Sequence, residues 1–172
     1  MTFRFTFTQL QDLSEVRDLV DYVRLQGLGY PRYDEWVQRT ESELIAGNKR
    51  AILAVSEGRV VGNLIYQQHK GLSSLLEIKN LRVSAPFKGR NFGSFMLRQL
   101  EAEAKESYAG IIGDVRADQP SVLKFMICSG YIPVVKIPLY DANMDDITVM
   151  KIFGGSDGLI DFARKTITRR DA

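Results

Sequence analysis

Residues 2–7, Thr-Phe-Arg-Phe-Thr-Phe, put Phe3, Phe5 and Phe7 on one face and Thr2, Arg4 and Thr6 on the other, the alternation of a half-buried strand. The period then lengthens. Leu13, Val16, Leu19, Val20 and Val23 recur at helical spacing behind Asp12 and Glu15, which fit a capping box. The stretch 27–32, GLGYPR, breaks that helix. A second helix over about 34–46 turns Trp36, Val37, Thr40 and Leu44 inward and stops at Gly47. Alternation by two returns in RAILAVSEGRVVGNLIYQQ (50–68), a hairpin closed at Glu57-Gly58. A third strand covers 75–84, a turn follows over 85–91, and a helix runs from 91 to about Tyr108. Phe92, Phe95, Met96, Leu100 and Ala104 form its inner face. GIIGDVRA (110–117) is a strand, and Pro120 opens a short helix that ends at Gly130. Segments 131–140 and 146–153 are closing strands, and 156–170 reads as a helix.

The order β-α-α-β-β-β-α-β-α-β-β predicts an α/β (α+β) fold, a mixed, mostly antiparallel twisted sheet flanked by helices. It is expected as one domain, 1–155, with a C-terminal helical extension over 156–172; no internal repeat or linker interrupts it.

Composition narrows the chemistry. A net charge of +2 is too weak to argue for nucleic acid. The densest basic group, Arg164, Lys165, Arg169 and Arg170, reads as a solvated helix end. Cys128 is the only cysteine, so no internal disulfide forms and a reducing, cytoplasmic setting is expected. His69 is the only histidine, which excludes a His/Cys metal cluster; a carboxylate-only site stays open but has no calcium-loop spacing, and no metal is expected. The N-terminus carries Arg4 in an alternating pattern and does not read as a signal peptide. No apolar run has the length of a membrane helix. The phenylalanines at 3, 5 and 7 are read as core, Cys128 as a small buried hydrophobe, and His69 as a surface residue at a strand end.

The segment FKGRNFGSFML (87–97) carries the clearest chemical signal. A strand runs into a glycine-containing turn and then a helix, so successive backbone N–H groups point into one concavity. The first N–H groups of the helix have no internal partner, and the dipole adds partial positive charge. Gly89 and Gly93 remove side chains, while Lys88 and Arg90 add charge. A phosphate site follows, better suited to a pyrophosphate than to a single ion. It is neither a P-loop, since no Gly-Lys-Ser/Thr follows, nor a Rossmann fingerprint, since G-x-G-x-x-G is absent.

The element order, and LRVSAPFKGRNFGSFMLRQLEAEA within it, resemble the GCN5-related N-acetyltransferases over about residues 2–153. The family signature Gln/Arg-x-x-Gly-x-Gly/Ala reads here Lys88-Gly89-Arg90-Asn91-Phe92-Gly93, with Lys88 for Gln/Arg and Asn91 for the central Gly. Asn tolerates positive φ better than most residues, so the turn is expected to form. The resemblance implies that residues 88–94, through Ser94, hold the pyrophosphate of acetyl-CoA. It implies that Leu81, Arg82 and Val83 pair with the pantetheine arm through their backbone, and that an N–H in this stretch polarises the thioester carbonyl. Downstream, Gly130-Tyr131 matches the family's Gly-aromatic pair, and Gln119 falls on a cofactor-side Asn position. Met126 falls where a Tyr commonly protonates the leaving thiolate, which methionine cannot do; another group, with Ser121 and Tyr131 as candidates, or water takes that role, or the thiolate leaves unprotonated.

Glu77 sits where some members carry the base that deprotonates the amine, a task suited to a partly buried carboxylate. The alternative for Glu77 is a strand carboxylate facing solvent or paired with Lys79 or Arg82. Glu57, in the hairpin turn, is the poorer candidate. Tyr30, Arg32, Tyr33 and Trp36 either shape an acceptor pocket, as in the family, or pack as a helix–helix turn. The activity implied is direct acetyl transfer from acetyl-CoA to an amine, small-molecule or protein, in a ternary complex. The rival is an acyl-CoA-binding regulatory or interaction module without transfer; a narrower idea is aminoacyl-tRNA as acceptor. No membrane partner is implied, and a homodimer through the last helix and an edge strand at 146–153 fits the family.

Overall fold

The computed structural model describes residues 5–27, 29–154 and 157–168. Thr2, Phe3, Arg4, Leu28, Arg169, Arg170 and the expected boundary at 155/156 lie outside the described residues. In chain order the elements are β1 (Phe5–Gln9), α1 (Leu13–Leu25), α2 (Tyr33–Ile45), β2 (Arg50–Ser56), β3 (Arg59–Gln68), β4 (Leu75–Val83), a 3-10 turn (Ala85–Phe87) and α3 (Phe92–Ala104). They continue with β5 (Gly110–Arg116), α4 (Pro120–Cys128), β6 (Ile132–Asp141), β7 (Met144–Ile152) and α5 (Asp157–Thr168). The predicted order of elements is therefore observed. The strands form a seven-stranded sheet in the order β1-β2-β3-β4-β5-β7-β6. The β4–β5 pair is parallel, registered from Leu75 opposite Gly110 to Ile78 opposite Gly113, and β4 continues past that register to Val83.

The chain divides into two compact units, Met1–Gln67 with Lys79–Glu101, and Gln68–Ile78 with Ala102–Ala172. In the first, the apolar stripe of α1 (Val16, Leu19, Val20, Val23) and Val37 and Leu44 of α2 pack on Ala51, Leu53 and Ile65. Asp12 caps α1 by accepting from the N–H groups of Ser14 and Glu15, while Glu15 reaches back to the Gln11 amide. Glu57 and Gly58 both have positive φ, 51° and 74°, as the two-residue hairpin turn requires. Lys49 is buried against Glu43 (2.7 Å) and Thr40 (2.7 Å), and burial pushes its ammonium below the ordinary lysine range against the pull of Glu43. In the second unit, Leu75, Ile112, Val134 and Met150 pack with Ala163 and Ile167 of α5. The guanidinium of Arg164 fastens α5 to the Val134 carbonyl.

Several expectations are corrected. Leu13 is 58% exposed, because the side chain of a first helical residue leans beyond the core layer and the buried stripe starts at Val16. The third helix ends at Ala104, not Tyr108, since the chain turns there to let Ala109 bond Ser74 and begin β5. Phe95 lies at the margin of its inner face and is exposed, while Leu97 is buried. His69 is 6% exposed: its Nδ1 accepts the Gly71 N–H inside the β3–β4 connection. Cys128 is exposed, because it stands two helical positions from the buried Met126 and so on the opposite face. The strand at 146–153 is interior, flanked by β5 and β6, so it offers no edge to a second chain.

An aromatic cluster fastens the start of α3. Phe92 lies 4.8 Å from Phe5, 5.4 Å from Phe7 and 5.8 Å from Phe87. Phe92 is 4% exposed, and its replacement by alanine is expected to cost about 3–5 kcal/mol. Urea unfolding checks this: the midpoint should fall while the slope stays constant.

Candidate active site

The end of β4 is set by a small polar node. The Ser84 amide donates to the Val61 carbonyl (2.8 Å), the Ser84 hydroxyl donates to Tyr22 Oη (3.3 Å), and Tyr22 in turn donates to the Val61 carbonyl (3.3 Å). Pro86 lies within the 3-10 turn that follows, where its missing N–H costs no hydrogen bond. The Lys88 amide closes that turn on Ala85 and is thereby taken up within the protein.

Gly89 has φ +75°, and no protein atom lies within 4 Å of where a Cβ would stand. The glycine is there for its backbone angle, and the space over it is open. Asn91 has φ +61°, and its carbonyl accepts the Phe95 N–H (2.9 Å). Asparagine thus occupies the left-handed position that the sequence reading assigned to it and caps α3. The amides of Phe92, Gly93 and Ser94 precede the first intrahelical bond and carry the positive end of the dipole. Lys88, Gly89, Arg90 and Asn91 are all exposed. The turn thus combines helix-start amides at Phe92 to Ser94, open space at Gly89 and exposed cationic residues at Lys88 and Arg90, the chemistry that an anionic group requires. Leu81, Arg82 and Val83 lie in the same unit, half-buried at the end of β4.

Glu77, Gln119 and Met126 belong to the second unit. Glu77 is half-buried on β4. Asp114, which pairs across the sheet with Thr148, accepts from the hydroxyls of Thr148 (2.7 Å) and Tyr140 (2.9 Å). Tyr140 is 49% exposed as a residue, yet desolvation at its hydroxyl end, with the charges of Asp114, Glu77 and Asp146, pushes that phenol above its ordinary range. Tyr140 therefore stays protonated at neutral pH and acts as a donor. Burial also raises Asp146, against the pull of the Leu139 amide. Glu77 is thus one of three carboxylates that act on Tyr140, a group that sequence reasoning missed; the carboxylates inside the apolar strands at 114 and 146 were its visible signal. Gln119 is the exposed N-cap of α4 and makes no side-chain cap bond. Met126 is buried, as is Tyr131 beneath Lys151, while Ser121 is exposed. Glu57 is exposed in its hairpin turn. Tyr33 stacks on Trp36 (5.5 Å) and donates to the Val23 carbonyl. Among the described residues, no group of three or more His, Cys, Asp or Glu could hold a metal ion, and no helix is long and apolar enough to cross a membrane.

Residues 14–128 match the family model of the acetyltransferase (GNAT) family. The chain belongs to that family. No curated protein matches the sequence. Solved structures with the GNAT fold superpose closely. An acetyltransferase assigned to the family from Desulfovibrio desulfuricans has a TM-score of 0.76 at 12% identity, covering 87% of this chain and 99% of its own. An aminoglycoside 6'-N-acetyltransferase complexed with coenzyme A has a TM-score of 0.72 at 17% identity, with 88% and 99% covered. The ribosomal-protein-S18-alanine N-acetyltransferase of Escherichia coli has a TM-score of 0.68 at 14% identity, with 90% and 98% covered. At these identities the likeness establishes the fold.

The backbone angle at Asn91 makes a direct prediction. Asn91→Gly should hold or raise the urea midpoint, since glycine adopts positive φ without strain. Asn91→Val should lower stability by about 1–2 kcal/mol.

Proposed function

We propose that this GNAT chain is an N-acetyltransferase that moves the acetyl group of acetyl-CoA to an amine by direct attack in a ternary complex. The observation that carries the reading is the turn. Gly89 and Asn91 hold positive φ, the space over Gly89 is open, and the helix start behind them presents amides with no helical partner. The pyrophosphate is bound by residues 88–94, with charge from Lys88 and Arg90. Backbone groups of Leu81, Arg82 and Val83 hold the pantetheine arm, and one N–H there stabilises the oxyanion that develops on the thioester carbonyl. Gln119 contributes on the cofactor side.

Glu77 accepts the proton of the attacking amine, directly or through water. The C–N bond forms, the C–S bond breaks, and CoA departs. Met126 is buried and has no proton to give. The thiol's ordinary pKa of about 8.5 lets it leave as thiolate or take a proton from water near neutral pH. The acceptor class is a small-molecule or protein amine, and the proposed setting is the cytoplasm.

Calorimetric titration with acetyl-CoA should give micromolar binding that Gly93→Glu abolishes while the urea midpoint shows a folded protein. Normal binding by Gly93→Glu would remove the phosphate role from the turn. Glu77→Gln should lower kcat by about 10²-fold or more with acetyl-CoA binding retained; an unchanged kcat would show that another group takes the proton. Binding of acetyl-CoA without transfer to any amine would instead favour a regulatory acyl-CoA module.

A further inference from the structure

Arg82 lies between two residues whose backbone is assigned to the cofactor, yet its side chain serves neither the turn nor α3. The side chain is half-buried, and its Nη2 is shielded from solvent with no hydrogen-bond partner. The neighbours that act most on its charge, after burial itself, are the phenols of Tyr33, Tyr22 and Tyr30. The same proximity is felt in return at Tyr22 and Tyr33. Two of these phenols spend their protons on the backbone, Tyr22 on the Val61 carbonyl and Tyr33 on the Val23 carbonyl. The hydroxyls of Tyr22 and Tyr33 are therefore committed elsewhere, and neither pairs with the guanidinium.

A guanidinium nitrogen removed from water loses its hydration and recovers nothing unless an acceptor meets it. Buried charges are usually paired, and a planar guanidinium is best paired by a planar oxygen fork. One positive charge among neutral phenols matches a carboxylate better than a doubly charged phosphate. All of these residues belong to one compact unit, so the arrangement is local. The three tyrosines belong to α1, to the connection after it and to the first residue of α2, the region where the sequence left an acceptor pocket and a packed turn as alternatives.

We propose that the Arg82 guanidinium, whose shielded Nη2 has no hydrogen-bond partner, binds the carboxylate of the acceptor, which makes the acceptor a small amino carboxylate such as an α-amino acid. This inference rests on the N-acetyltransferase reading above. In it, the backbone of Arg82 serves acetyl-CoA while its side chain selects the second substrate. Arg82 is a specificity residue and takes no part in bond making.

The test compares amino acids with their decarboxylated amines: phenylalanine with phenethylamine, lysine with cadaverine, and methionine with 3-(methylthio)propylamine. Acetyl-CoA is held saturating, and its binding is titrated calorimetrically in parallel. In at least one pair the wild type should favour the carboxylated member by about tenfold or more in kcat/KM. Arg82→Gln should shrink that ratio by about tenfold, mainly through KM, and Arg82→Lys should restore part of it. Equal or inverted preference in every pair, or a ratio untouched by Arg82→Gln in a folded variant, would overturn the proposal. Acetyl-CoA binding with no member of any pair acetylated would overturn it too, leaving the cofactor reading intact. If wild-type protein does not bind acetyl-CoA, the transferase reading falls and this inference with it. Should Arg82→Gln fail to fold, the wild-type pair comparison alone still decides.

Discussion

The turn at 88–91 depends on the phenylalanines at its two ends. Phe87 and Phe92 lie 5.8 Å apart, and both contact Phe5, at 6.0 Å and 4.8 Å. Four exposed residues must therefore leave one anchored ring and return to its neighbour. A chain that reverses over so short a span needs left-handed backbone, and it has it at Gly89 and Asn91. The strain at Asn91 is small because asparagine is among the residues least penalised there, and Phe92 holds it in place. Apolar packing beneath the turn thus sets the direction of the amides above it. An exposed loop keeps a defined shape when its ends cannot move apart.

Much of this was legible in the sequence, for a physical reason. Helix and strand periods are local, so the element order, the cap at Asp12, the hairpin at Glu57-Gly58 and the glycine stop at Gly130 could be read directly. Positive φ at residue 91 was legible because a motif position and a residue property pointed the same way. What failed was non-local. The strand at 146–153 is last in sequence and so resembles an edge, but sheet order depends on which strands pair, and β6 takes the outer place. His69 becomes buried only when the connection to β4 folds over it. Phe95 has the spacing of an inner residue yet sits at the margin, where it touches Phe7 and is covered by Arg98.

The polar interior was the least legible part. Arg82 was read for its backbone, and nothing nearby in sequence announces that tyrosines some fifty to sixty positions earlier act on its charge. Asp114 and Asp146 likewise look like single interruptions of apolar strands until the register of β5, β6 and β7 brings them near Tyr140. Family membership accounts for the scaffold and for acetyl transfer in general. Choice of acceptor is left to such side chains, which the cofactor chemistry does not constrain.

The central claim is that backbone amides of one turn hold the pyrophosphate, and amide-resolved NMR addresses it most directly. Titration of ¹⁵N-labelled protein with coenzyme A should shift the amides of Gly89 to Ser94 and those of Leu81 to Val83, with 3',5'-ADP, which lacks the pyrophosphate bridge and the pantetheine arm, moving them far less. Shifts of these amides that are equal for the two ligands, or a coenzyme A response that bypasses residues 89–94, would contradict the account.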